Sequence, residues 1–161
     1  MENILLVGFP NSGKSTIFNM LTGQLRKVSN YSGVTSDSAS SELLSNNIYE
    51  KKLSVVDLPG VYSLIPSSLD EGVTTTFLLK DCLKYHTIAV VLDLDRFEAS
   101  LSLLLLIKKH LKKNILIIIN KNDHIRFTKD HEKRLEAKLN LPIFSMSAMN
   151  DDEKKLDLFI R

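Results

Sequence analysis

The sequence predicts an α/β domain: a mostly parallel six-stranded sheet with one antiparallel edge strand and helices on both faces. Short apolar runs that read as buried strands alternate along the chain with segments of helical period, the pattern of a sheet covered on each side. Two neighbouring β-type segments, about 38–45 and 50–57, are separated by Asn46-Asn47 and read as a hairpin, which supplies the antiparallel edge. With 161 residues, 43 % of them hydrophobic, the chain suits a single domain, residues 1–161. A domain of that size buries about two-thirds of its unfolded surface.

Each element has its own signal. Ile4-Leu5-Leu6-Val7 forms the core of a strand over 3–8. A helix follows over 14–22, with Ile17, Phe18 and Leu21 on one face and Gly23 at its end. From Gln24 to Ser41 the chain is polar and serine-rich, the composition of a loop. After the hairpin come a loop 58–71, a helix 73–84, a strand 88–93, a helix 97–111, a strand 114–119, a helix 129–139, a strand 142–145 and a last helix from about 151. The leucines at 101 and 103–106 read as a helix buried against the sheet. There is no internal repeat and no linker.

Bulk properties exclude several classes. A net charge of +2 argues against a broad nucleic-acid footprint. The longest apolar runs, Leu103 to Ile107 and Ile115 to Ile119, fall far short of a membrane span, so the chain itself is expected to be soluble and cytosolic. The one cysteine, Cys82, excludes an internal disulfide, and His86, His110, His124 and His131 are too scattered for a metal site.

The chemistry lies at strand ends, where open α/β sheets take ligands. Gly8-Phe9-Pro10-Asn11-Ser12-Gly13-Lys14-Ser15 reads G-x-x-x-x-G-K-[ST] between a strand and a helix, the context a phosphate-binding P-loop requires. Gly8 and Gly13 let successive backbone N–H groups point into one concavity, and phosphate meets the positive end of the helix beginning near Lys14. Lys14 supplies a mobile charge to the outer phosphates, and the Ser15 hydroxyl is placed to ligate Mg²⁺. Asp57-Leu58-Pro59-Gly60 ends the strand that contains Val55-Val56, so Asp57 can reach the Mg²⁺ shell and the Gly60 N–H the γ-phosphate. By itself a D-x-x-G stretch would be weak evidence.

Asn120-Lys121-Asn122-Asp123 follows the strand ending at Ile119 and names the base. A carboxylate at Asp123 accepts from both N1–H and the 2-amino group of guanine, whereas adenine leaves it unpaired. The stem of Lys121 can cover the ring, and Asn120 can tie this loop to the P-loop. N-x-x-D alone would also describe, less often, a helix N-cap at Asp123. Ser147-Ala148 would offer backbone N–H to the guanine O6.

Together these residues resemble the translation-factor-like GTPases, and more narrowly the N-terminal G domain of FeoB, the bacterial ferrous-iron transporter, over essentially the whole chain. Three stretches sharpen the resemblance: Pro10-Asn11; Asn30-Tyr31-Ser32-Gly33-Val34-Thr35, similar to N-W-P-G-V-T; and Asp57-Leu58-Pro59-Gly60-Val61-Tyr62-Ser63-Leu64, similar to D-L-P-G-x-Y-S-L. The departures are Tyr31 and Ser32 in place of Trp and Pro, Phe9 where a polar residue is common, and no charged run after Thr35.

The resemblance implies a Rossmann-like P-loop GTPase domain that binds GTP, GDP and Mg²⁺ and hydrolyses GTP slowly. It implies that Thr35 closes on Mg²⁺ and γ-phosphate as the switch-I threonine, and that residues 58 to about 72 form switch II. Similarity to potassium-activated relatives implies that Asn11 helps to hold K⁺. The nucleotide set is then Gly8, Asn11, Ser12, Gly13, Lys14, Ser15, Thr16, Thr35, Asp57, Gly60, Asn120, Lys121, Asp123, Ser147 and Ala148. Ser15, Thr35 and Asp57 serve Mg²⁺, Asn11 serves K⁺, and Lys14, Asn11, Thr35 and Gly60 are the catalytic candidates.

The implied role is regulation of ferrous-iron transport. The implied partners are guanine nucleotide and the membrane-transporter portion of the same or a longer polypeptide, at the cytoplasmic face of the inner membrane. No nucleic acid is expected, and a homo-oligomer is left open. The helical module and membrane-spanning iron pathway of the family are absent from these residues, so this chain is not expected to move iron itself. Two other readings stay open: a nucleotide-state sensor with negligible turnover, and a ribosome-assembly GTPase of the Era type, which would normally carry a basic RNA-binding appendage.

Overall fold

The structure, a computed structural model, describes residues 2–22, 39–42, 53–65, 72, 75–76, 78, 86–120 and 127–146. Among them the strands are β1 (Glu2–Gly8), β2 (Ala39–Glu42), β3 (Leu53–Asp57), β4 (Thr87–Asp93), β5 (Asn114–Asn120) and β6 (Ile143–Ser145). The helices are α1 (Lys14–Thr22), α2 (Phe97–His110) and α3 (Lys129–Leu139), with a 3₁₀ turn at Leu94–Arg96. Thr75, Thr76 and Leu78 are helical, within the helix expected over 73–84; the remainder of that helix, the Asn46-Asn47 turn, Cys82, His124 and the helix from 151 lie outside the described residues.

The six strands form one sheet in the order β2-β3-β1-β4-β5-β6. β2 runs antiparallel to β3, with Ala39 opposite Asp57, and the other neighbours are parallel. The expected sheet, antiparallel edge included, is therefore the observed one.

Parallel strands buried on both faces must be apolar at every position, and here alternate residues divide between two cores. Leu5 and Val7, Ile88, Val90 and Leu92, and Ile115, Ile117 and Ile119 face one side, where Leu103, Leu104 and Ile107 of α2 and Leu139 of α3 cover them. Ile4, Leu6, Val55, Ala89, Val91 and Ile118 face the other, under Ile17, Phe18 and Leu21 of α1. Each such fully buried aliphatic side chain stabilises the fold by about 1.5–3 kcal/mol. A polar residue at Ile117 would forfeit that and bury an unpaired group.

The leucine-rich stretch of α2 departs from expectation. Leu103 and Leu104 are buried, but Leu105 is 47 % and Leu106 36 % exposed. A helix laid on a sheet buries only one stripe, so consecutive leucines cannot all face inward. α2 also ends at His110, one residue early; the Leu111 N–H still bonds the Ile107 carbonyl, and Leu111 itself turns extended and buried. At α3 the start is set by Thr128, whose hydroxyl accepts from the His131 N–H while the Thr128 N–H donates to His131 Nδ1. Asn140, left-handed at φ 50°, stops it.

Chain order places the site. From β1 the chain goes to β3 on one side of β1, then crosses to β4 on the other. The loop after β1 therefore stands where strand order reverses, the position at which such sheets open a crevice.

Candidate functional site

The chain beyond the carboxyl ends of β1 and β3 comes together with the last residue of β5. The β1 loop carries Gly8 to Ser15 and runs into α1, whose first residue is Lys14. Its backbone is folded back tightly: Asn11 has φ 62° and Gly13 φ 88°. The Ser12 N–H donates to the Phe9 carbonyl at 3.2 Å. Asn is one of the few side-chain-bearing residues that adopts the left-handed region readily. At Gly13 a side chain is doubly excluded, because a Cβ would also stand 2.1 Å from Asn120 Nδ2.

Lys14 is buried, and its ammonium donates to the Phe9 carbonyl at 2.8 Å, inside the curve of the loop. Ser12 is fully buried, with its hydroxyl oxygen making no hydrogen bond to a described residue. Asn11 in the loop and Thr16 in α1 are exposed. The positive end of the α1 dipole completes a concavity suited to an anion.

Asp57, the last residue of β3, is 1 % exposed and accepts the Ser15 hydroxyl proton on Oδ2 at 2.8 Å. The pair sets two hard oxygen donors side by side, the donor type that Mg²⁺ prefers. Beyond Asp57 the chain stays on the P-loop. The Leu58 N–H donates to the Leu6 carbonyl and the Val61 N–H to the Gly8 carbonyl. Gly60 rests on Pro10, where a Cβ would lie 2.5 Å from the proline nitrogen. Val61 itself is fully buried among Leu5, Val7 and Leu58.

Asn120, expected just after a strand, is the last residue of β5. Its side chain is 3 % exposed and donates from Nδ2 to the Ser12 carbonyl at 2.8 Å. The expected tie between the two loops is thus formed. β6 runs alongside, and the Met146 N–H donating to the Ile119 carbonyl brings the chain to the edge of the same crevice. Thr35, Lys121, Asp123, Ser147 and Ala148 lie outside the described residues.

Two features had no motif to announce them. Asp93, buried at the end of β4 and paired in register with Asn120, accepts the Asp95 N–H and caps the 3₁₀ turn, while its own N–H meets the Ser100 hydroxyl. Phe9 is 6 % exposed and packs its ring on Tyr62, centroids 5.2 Å apart and planes tilted by 59°. Among the described residues no group of His, Cys, Asp and Glu could hold a metal by side chains of those types alone, and no helix is long and apolar enough to cross a membrane.

Comparison with known proteins agrees with this geometry. The family profile described as Ferrous iron transport protein B matches residues 2–157. The Fe(2+) transporter FeoB of Staphylococcus aureus (strain COL) is 35 % identical over 150 residues, which are 92 % of this chain and 21 % of that protein. The chain thus spans about a fifth of the length of that curated relative. Among solved structures, the cytosolic domain of the T. maritima FeoB iron transporter in its GMPPNP form superposes with a TM-score of 0.83 at 29 % identity, covering 99 % of this chain and 61 % of that one. The separate G domain of T. maritima FeoB gives 0.81 at 29 % identity, covering 100 % and 99 %. With the P-loop, the Ser15–Asp57 pair and the Asn120 tie in place, the chain belongs to the ferrous iron transport protein B family, as an N-terminal FeoB G domain of the P-loop GTPase fold.

Proposed function

We propose that this chain binds GTP and GDP with Mg²⁺, hydrolyses GTP slowly to GDP and phosphate, and by that cycle regulates ferrous-iron passage through a transporter of which it is one domain. The observation that carries the reading is the 2.8 Å bond from Asn120 Nδ2 to the Ser12 carbonyl. It locks the stretch that would read the base to the loop that would hold the phosphates. The relatives support the ligand and the setting: one solved T. maritima form contains GMPPNP, and the S. aureus relative is an Fe(2+) transporter.

Each group then has a task. Lys14 exchanges the Phe9 carbonyl for the outer phosphate oxygens, and the N–H groups of Gly13 to Thr16 solvate the inner ones. Ser15 and Asp57 would hold Mg²⁺, and Thr35 would join them when a γ-phosphate is present. The ion, when bound, neutralises charge that develops on the β and γ oxygens. Gly60 offers its N–H to the γ-phosphate. Water attacks the γ-phosphorus in line as the bond to the β-bridging oxygen breaks. Asp123 selects guanine, Lys121 covers its ring, and Ser147 and Ala148 meet its O6.

Burial of Val61 supports slow turnover, because the residue after Gly60 presents no polar group to that water. The same observation favours a second reading, a nucleotide-state sensor in which occupancy alone matters. Phosphate release measured beside nucleotide affinity separates them. Turnover with GTP and none with ATP supports the enzyme; tight GTP binding without phosphate release supports the sensor; no guanine-nucleotide binding overturns both. Lys14→Ala is expected to abolish phosphate affinity, whereas Thr35→Ala spares GDP, since Thr35 senses only the γ-phosphate and its metal.

A further inference from the structure

We propose that the Phe9 and Tyr62 rings form a clasp that holds the segment after Asp57 on the P-loop and so sets how strongly the site favours a triphosphate over a diphosphate. Both are then positioning residues for the GTP reaction, and the inference rests on the nucleotide reading above. Three successive residues of the segment touch three residues of the P-loop: Gly60 rests on Pro10, the Val61 N–H bonds the Gly8 carbonyl at 3.2 Å, and Tyr62 stacks at a tilt on Phe9. The first two contacts use backbone, apart from the proline ring, and place no demand on residues 9 and 62. The third depends wholly on side chains.

Its position gives the ring pair leverage. Phe9 is 6 % exposed, while Tyr62 keeps 54 % of its surface in water, so the tyrosine can leave without dismantling the core. The Phe9 carbonyl is also the acceptor for Lys14 Nζ at 2.8 Å and for the Ser12 N–H at 3.2 Å. Phe9 thus packs against the segment through its ring, while its carbonyl holds Lys14 only until phosphate takes that place. A triphosphate needs the Gly60 N–H at the mouth of the loop; a diphosphate does not. The apparent affinity of a ligand falls in proportion to the fraction of molecules in the competent arrangement. A contact that favours the docked segment therefore strengthens triphosphate binding and leaves diphosphate binding alone.

The test uses the 161-residue chain with Mg²⁺, fluorescent GDP and a non-hydrolysable fluorescent GTP analogue. Tyr62→Ala is expected to weaken the analogue by roughly three- to tenfold, the range an aromatic pair supplies, with GDP affinity unchanged. Tyr62→Phe, which keeps the ring, restores the wild-type ratio. Phe9→Leu, which keeps the buried bulk, behaves like Tyr62→Ala, and the double variant is no worse than either single one. Parallel loss of both affinities, no change in either, or failure of phenylalanine at position 62 to restore the ratio overturns the clasp. If the unmodified chain binds neither nucleotide, the nucleotide reading falls and the clasp with it. If it binds both and the variants leave the ratio unchanged, the clasp alone falls.

Discussion

The Ser15 hydroxyl donates to Asp57 Oδ2 at 2.8 Å, joining residues 42 apart in sequence at the adjoining ends of β1 and β3. The pair is held by the sheet, since Leu6 and Asp57 are register partners and Ser15 lies in the first turn of the helix that β1 feeds. Ser15→Ala removes the proposed Mg²⁺ ligand but leaves the loop backbone. Affinity for a GTP analogue is expected to fall about 10- to 100-fold in Mg²⁺ and to lose its sensitivity to EDTA. An unchanged response to EDTA would remove Ser15 from the metal site.

Asn120 and Gly13 form a second relationship of the same kind. Asn120→Ala strips the buried Ser12 carbonyl of its donor, at a cost of about 1–3 kcal/mol. Denaturant unfolding should show that loss, and nucleotide affinity should fall with it. Gly13→Ala is worse on two counts, the positive φ and the 2.1 Å approach to Asn120 Nδ2, and is expected to eliminate nucleotide binding. Wild-type affinity in Gly13→Ala would show that the loop can rearrange around its ligand.

What the sequence made legible follows from range. β4 and β5 could be read because strands buried on both faces leave no polar position between Ile88 and Leu92 or Ile115 and Ile119. The P-loop, Asp57 and Asn120 could be read because spacing fixed which strand end each would occupy. Phe9 on Tyr62, Gly60 on Pro10 and Lys14 on the Phe9 carbonyl could not, because each depends on how closely two loops approach after the sheet forms. Leu105 and Leu106 were misread for a related reason: which stripe of α2 faces the sheet is set by packing, and both sit on the outward side. The helix expected over 129–139 is α3, but its cap could not be read, because the residue three beyond Thr128 is a histidine and not the usual Glu or Gln.

In the proposed function, base selection falls to Asp123. GTP and GDP are expected to bind far better than ATP, and Asp123→Asn to shift preference toward xanthine nucleotides, whose 2-oxo group needs a donor. Competition between labelled nucleotides measures this. Comparable ATP and GTP affinities in the unmodified chain would remove Asp123 from the role.

Val61 occupies the position where Ras-like GTPases carry a glutamine. Its side chain lies in the core with Leu5, Val7 and Leu58, so Val61→Gln would bury an amide rather than aim it at water. The expected result is a stability loss of about 1–3 kcal/mol and no gain in turnover. A faster enzyme would mean that the backbone at Val61 turns outward in the reacting state.

With no polar side chain at position 61 to orient water, positive charge near the phosphates becomes the main resource in the proposed hydrolysis, and a monovalent cation can supply it. Asn11 is exposed on the P-loop, and the role proposed for its amide oxygen is to help hold K⁺ with the switch-I carbonyls expected around Ser29 to Tyr31. A competing explanation is conformational: at φ 62° an asparagine is favoured whether or not it binds anything. Substitution by glycine separates the two, because glycine tolerates that φ and lacks the amide, whereas alanine at the same place adds backbone strain. GTP turnover is expected to be faster in KCl than in NaCl at equal ionic strength, and Asn11→Gly to abolish the difference while keeping GDP affinity. Turnover that stays faster in KCl with glycine at position 11 would leave Asn11 only its backbone role, and identical rates in the two salts for the unmodified chain would refute the cation mechanism.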